Sequence, residues 1–205
     1  MRFIANMQSF LPITALVAII LFAVKEIVEY VKKTRGNHRK IQAIKEILSE
    51  ELERNLWTYK IMERTVKESM EILENCRNPA FGIRRTATGE IRFWRKYDEN
   101  EELEGSGHPL PEVKQDKYES VVLELAQLDS GLFNSARIAY DSLKELGHIR
   151  KSLIETLDGP ENDGKGGIWE GFLTYARREL KDIYDAMNEL YTLMKGQPLD
   201  KPRLR

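Results

Sequence analysis

The chain has 205 residues, a formal net charge of −1 and 32% charged residues. A near-neutral balance excludes a general nucleic-acid binder, which is strongly basic. A single cysteine, Cys76, excludes an intrachain disulfide framework and a CxxC metal site.

The first element begins as hydrocarbon and ends in positive charge: "FLPITALVAIILFAVKEIVEYVKKTRGNHRK", Phe10 to Lys40. No charged residue falls between Phe3 and Val24, and about 20 apolar residues suffice to cross a bilayer as a helix. A core helix would keep a polar stripe, whereas Ala15 to Val24 are apolar on every side. A cleavable signal would leave through small residues in an A-x-A-like pattern, whereas this run leaves through Ala23-Val24-Lys25-Glu26. The pattern therefore predicts a single transmembrane anchor over residues 1–35, with Phe10, Leu11, Val17, Ile20, Phe22 and Val24 in the span. Lys25, Lys32, Lys33, Arg35, Arg39 and Lys40 follow the run. Positive residues stay inside, so the expected location is the inner (cytoplasmic) membrane, single-pass, with the carboxy-terminal domain cytoplasmic and membrane lipids as partners. Lys25, Glu26 and Glu29 would lie at the inner mouth of the span, as a pore mouth or an interface.

Gly36-Asn37 is expected to end this helix, and residues 36–195 to form a cytoplasmic helical bundle. Ile41, Ile44, Leu48, Leu52, Leu56, Tyr59, Met62, Val66, Met70 and Leu73 recur at three- and four-residue steps, the mark of one long amphipathic helix. β-branched and aromatic residues around Thr88-Gly89 predict a β-hairpin over 81–97. An acidic, turn-rich loop follows over 98–111. Three more apolar periodicities predict helices over 112–128, 132–157 and 168–194, and residues 196–205 read as a flexible tail. The fold class is all-α: a single N-terminal transmembrane helix, then an antiparallel bundle with a small inserted hairpin.

Two constellations stand out. Arg84, Arg85, Arg92, Arg95 and Lys96 surround Trp94 on the hairpin. Aromatics between guanidinium groups suit a nucleotide, a headgroup or a protein partner, and the same residues also suit a solvated ribbon held by ion pairs. Glu51 and Asn55 lie beside the apolar stripe of the long helix, and Tyr140, His148 and Arg150 on a later helix are expected partners in a polar core network. His38, His108 and His148 form no ligand motif, and no catalytic signature occurs, so no metal, cofactor or enzymatic activity is predicted.

The order "LPITALVAIILFAV" then "IQAIKEILSEELERNLWTYKIMERTV" resembles membrane-anchored accessory and effector proteins of bacterial antiviral defence, in particular the membrane accessory proteins of type VI-B CRISPR systems, whose soluble part is similar to the HEPN helical fold. The resemblance implies a homo-oligomer that acts on the membrane as a pore or permeability effector. HEPN ribonucleases place His four to six residues after Arg. Here Arg35 to His38 is too short and Arg137 to His148 too long, so a non-enzymatic role is expected over a degenerate RNase. The other reading is a membrane-tethered scaffold or sensor that binds a cytoplasmic protein, nucleotide or nucleic acid through the basic hairpin.

Overall fold

The computed structural model describes residues 12–75, 80–96, 107–158 and 167–203. The chain divides into two compact units, Met1–Ala43 and Ile44–Arg205. The described elements are α1 (Ile13–Asn75), β1 (Ala80–Arg85), β2 (Ile91–Lys96), β3 (His108–Pro109), α2 (Asp116–Leu128), α3 (Ser130–Leu157) and α4 (Gly167–Lys195). The helical class and the inserted hairpin match the sequence expectation.

Helix α1 corrects that expectation twice. It continues through Gly36-Asn37 instead of stopping there. One interior glycine costs roughly 1 kcal/mol relative to alanine, and no proline follows to remove a hydrogen bond. The flanking Lys, Arg, Glu, Ile and Leu carry the helix across.

The second correction concerns the membrane. No helix among the described residues is long and apolar enough to cross a bilayer, which overturns the predicted inner-membrane, single-pass placement. Within α1 the uncharged stretch runs only from Ile13 to Val24, 12 residues. That is about 18 Å of helix against a hydrocarbon core of about 30 Å. Lys25, Glu26 and Glu29 then fall within the next two turns. Phe10 and Leu11 lie outside the described residues.

In the second unit, Ile44, Leu48, Leu52, Leu56, Met62 and Val66 bury the apolar stripe of α1. They share a core with Ala136, Leu143, Leu146 and Ile149 of α3 and Leu173, Leu180, Ile183 and Met187 of α4. Contacts between α1 and α4 pair Glu46 with Lys195, Glu53 with Tyr191 and Tyr59 with Tyr184. Rising numbers meet falling ones, so the two helices are antiparallel. Gly196, at φ 70°, ends α4 in the left-handed conformation that glycine adopts without strain.

The sheet has the order β1-β2-β3 with antiparallel pairing throughout. Its turn holds Gly89 at φ 81°. Pairing of Ile83 with Phe93 and of Gly82 with Trp94 sets the two faces. Phe81 and Phe93 are buried and stacked, and Phe81 also meets Trp169 of α4 with ring centroids 5.5 Å apart. On the other face Trp94 lies so close over Gly82 that a Cβ there would sit 2.5 Å from the indole ring, so only glycine admits this packing. The loop expected over 98–111 is in part this third strand, with Leu110 buried behind it. Residues 98–106 lie outside the described set.

The tail is not loose over its described part. Leu199 is 1% exposed, its N–H donates to Asn188 Oδ1 at 2.8 Å, and its carbonyl accepts from Tyr184 Oη at 3.2 Å. The Arg203 N–H donates to the Glu53 carbonyl at 3.0 Å, and its guanidinium pairs with Glu50 at 2.9 Å. The sequence reading missed this because prolines and charges resemble a solvated terminus, whereas one leucine and a run of backbone groups do the fastening. Leu199→Ala should therefore cost about 2–3 kcal/mol, as buried leucine truncations do. Urea unfolding of full-length protein would read it, and a loss below about 0.5 kcal/mol would return the tail to its predicted role.

Candidate functional site

The polar core network assembles around a strap, residues 107–118, laid against α1. Glu51 is 2% exposed. Its Oε1 accepts the Lys117 N–H at 2.8 Å, and its Oε2 accepts the Tyr118 N–H at 3.0 Å and the Tyr140 hydroxyl at 2.7 Å. Helix α2 has no side-chain cap of its own at Gln115. Glu51 supplies that cap from another helix, with its charge on the positive end of the dipole. Burial first, and then the Glu51 carboxylate, push the Tyr140 hydroxyl far above its ordinary pKa, so it remains a donor. The Tyr118 ring stacks on Tyr140 at 4.0 Å.

Asn55, one turn further along, grips the strap with both amide atoms. Its Nδ2 donates to the Lys114 carbonyl at 2.7 Å, and its Oδ1 accepts the Lys114 N–H at 2.8 Å. Thr58 donates to the Glu112 carbonyl at 3.3 Å, and Arg150 to the Leu110 carbonyl at 3.0 Å. These bonds explain why α2 starts at Asp116 and not at 112: the backbone of 112–114 is engaged sideways. Of the expected partners, Tyr140 bonds Glu51 directly, whereas Asn55 and Arg150 engage only the backbone of the strap. His148 is exposed on α3 and joins none of these bonds.

Sequence reasoning missed Thr58, Thr65 and His108. The available signal was the pair of prolines, Pro109 and Pro111, which hold their neighbours extended and leave carbonyls open for side chains. Thr65 Oγ1 lies 2.7 Å from His108 Nε2 and donates its single proton to the Ile61 carbonyl. Nε2 must then be the donor of the second bond. Burial lowers the His108 pKa, opposed by Glu68 and assisted by Arg64, Arg95 and Arg92. A folded-state pKa below the ordinary 6.5 means that the unfolded chain takes up the proton first. Stability from this site is complete above about pH 6.5 and declines as pH falls through it. The expected result is a stability gap between wild type and His108→Gln that narrows from pH 7.5 to pH 5.5 in urea titrations. An unchanged gap would mean that the ring stays uncoupled from folding.

Three arginines of the basic hairpin are paired within the fold. Arg85 meets Asp158 at 2.5 Å, Arg92 meets Glu90 at 3.2 Å and donates to the Gly107 carbonyl at 2.7 Å, and Arg95 forms a partly buried ion pair with Glu68. Trp94 covers Gly82. Arg84 is exposed, and the Lys96 side chain lies outside the described residues. Arg95 braces the sheet against α1 and Arg85 against the end of α3, while the Arg85 and Arg92 side chains remain 56 and 39% exposed.

Among the described residues, an exposed apolar stripe lies in the first unit. Val17, Ile20, Val24, Ile27 and Val31 are between 39 and 62% exposed on α1. Their three- and four-residue steps are the a and d positions of a heptad, with valine at a and isoleucine at d. In that frame Lys25, Glu26, Glu29, Lys32 and Lys33 all take positions b, c or f, away from the seam. The flanking e and g positions of this stretch, Leu21, Ala23, Val28 and Tyr30, are uncharged. Lys25 and Glu29 pair with each other at 3.8 Å along the outer face.

No protein-family model matches the chain, no curated protein is similar to it, and no solved structure matches it. Among the described residues no group of three His, Cys, Asp or Glu side chains is placed to hold a metal ion.

Proposed function

We propose that this chain is a non-enzymatic, self-associating scaffold. Residues 13–31 hold several copies together, and the unit from Ile44 onward is the displayed module. The observation that carries this reading is the exposed β-branched seam with every charge of 25–33 sorted to its outside. A seam of period 3.5 packs best against another of the same period, and an identical copy supplies one in register. A chance distribution of five charges would place some at e or g. β-branched residues at both a and d disfavour the two-stranded form, which prefers leucine at d, and point to three or four strands.

The reading keeps the expected homo-oligomer. The pore rested on a span, and Lys25, Glu26 and Glu29 become outer-face residues in place of a pore mouth. Light scattering of the full-length protein tests it. A discrete mass three or four times the 23.9 kDa of the chain is expected, and a monomer across micromolar concentrations would overturn it.

A further inference from the structure

A groove of about 570 Å3 runs between α1 and α4 in the second unit, a volume within the range of small-molecule sites. Val66, Met70 and Leu180 form its apolar floor, and Tyr59 and Tyr184 close one end with ring centroids 5.4 Å apart. Both phenols are already occupied: Tyr59 donates to Glu63 at 3.0 Å and Tyr184 to the Leu199 carbonyl. That end therefore offers ring carbon.

The charges on the walls are not equally engaged. Glu63 accepts from Tyr59, and Glu71 pairs with Lys67 at 3.9 Å. Arg177 and Lys181 are one turn apart on α4, both line the groove, both are exposed, and neither has an ion-pair partner among the described residues. The neighbouring Arg178 is by contrast held by Glu179 at 2.8 Å. Like charges one turn apart on a helix repel, and an anion between them relieves that repulsion. A phenol hydrogen bond leaves the Glu63 charge in place, so Glu63, Glu71 and Glu74 balance Lys67, Arg177 and Lys181 over the groove as a whole, and the positive excess is local, on the α4 wall where Arg177 and Lys181 sit together.

The geometry points to a binding site for a single-chain apolar carboxylate, with its hydrocarbon on Val66, Met70 and Leu180 and its head between Arg177 and Lys181. This site is independent of the seam on residues 13–31 and stands or falls separately.

Calorimetric titration of the full-length protein with dodecanoate, below its micelle concentration, tests the assignment. Dodecanol and dodecylammonium serve as neutral and cationic probes of the same length. Dodecanoate should bind at least tenfold more tightly than either. The double change Arg177→Glu and Lys181→Glu, at exposed positions that leave the core intact, should remove that preference and favour dodecylammonium. Met70→Trp, which fills the floor, should weaken dodecanoate at least tenfold while leaving the thermal transition in place. Equal binding of the three probes, binding unaltered by both variants, or no dodecanoate binding would each overturn the site. Binding through the exposed apolar stretch of α1 would appear as the second of these.

Discussion

Val24→Glu combined with Ile27→Glu should convert the oligomer into monomer. Each substitution places a carboxylate in the middle of the seam, where association would strip its water without a cation to meet it. The penalty for an unpaired charge in such a place is several kcal/mol. Even about 3 kcal/mol per copy weakens association by more than 100-fold. In the monomer the same side chains cost almost nothing, because Val24 and Ile27 are 51 and 62% exposed there. The expected light-scattering result is a single species at the chain mass, with the helical signal retained. Lys25→Glu is the control: it adds the same charge next door at an outer position and should leave the mass of the assembly unchanged. If the outer change dissociated the protein as fully as the seam pair, the seam would be wrongly placed. If neither did, the copies would be held elsewhere.

Glu51→Ala should be the most damaging single change in the second unit, at about 4 kcal/mol. It leaves the Lys117 and Tyr118 N–H groups and the Tyr140 hydroxyl without their acceptor. Each orphaned buried donor costs roughly 1–3 kcal/mol. Typical domains hold only 5–15 kcal/mol in total. Tyr140→Phe alone should cost less, since it removes one donor and leaves the carboxylate capping α2. In the Glu51→Ala background the same tyrosine change should be near neutral, because the hydroxyl it deletes has already lost its partner. Urea unfolding of the four proteins gives the coupling. Additive losses would mean that the two side chains act separately and that the cap, not the network, carries the energy. Amide exchange offers a second readout: Lys117 and Tyr118 should lose protection first.

How much of this was legible differs by element. The apolar periods of α1, α3 and α4 are strong because each helix meets the core along one stripe, and the boundaries of α3 and α4 fell within a few residues of the expected ones. The hairpin was legible from Thr88-Gly89 and its aromatic flanks. Glu51 and Asn55 could be singled out because a carboxylate and an amide beside an apolar stripe need partners. Tyr140 could be matched to Glu51, and Arg150 to the same region, but the Lys114 and Leu110 backbones could not. Backbone amides leave no mark in a sequence. His148 failed for the complementary reason: Leu146 and Ile149 take the buried positions of that turn, and the helix points His148 outward.

By itself the sequence determined the helical class, the apolar stripes, the hairpin and the grouping of polar residues, since all of these follow from local periodicity and side-chain chemistry. The heptad order of residues 17–31 was hidden there by an apolar run without a polar face, and it emerged only once α1 was seen to continue past Val24 into charged turns. Tertiary structure decided the rest. It carried α1 through Gly36, because the cost of one glycine is small beside the turns on either side. It paired Arg85, Arg92 and Arg95 with Asp158, Glu90 and Glu68, carboxylates distant or unremarkable in the sequence. It fastened residues 199 and 203 to α4 and α1 through backbone bonds. It brought Tyr59 opposite Tyr184 and Val66 opposite Leu180 to open a groove. Each of these depends on which surfaces meet across long sequence separations, where the free energy is set by desolvation and by the pairing of buried polar groups.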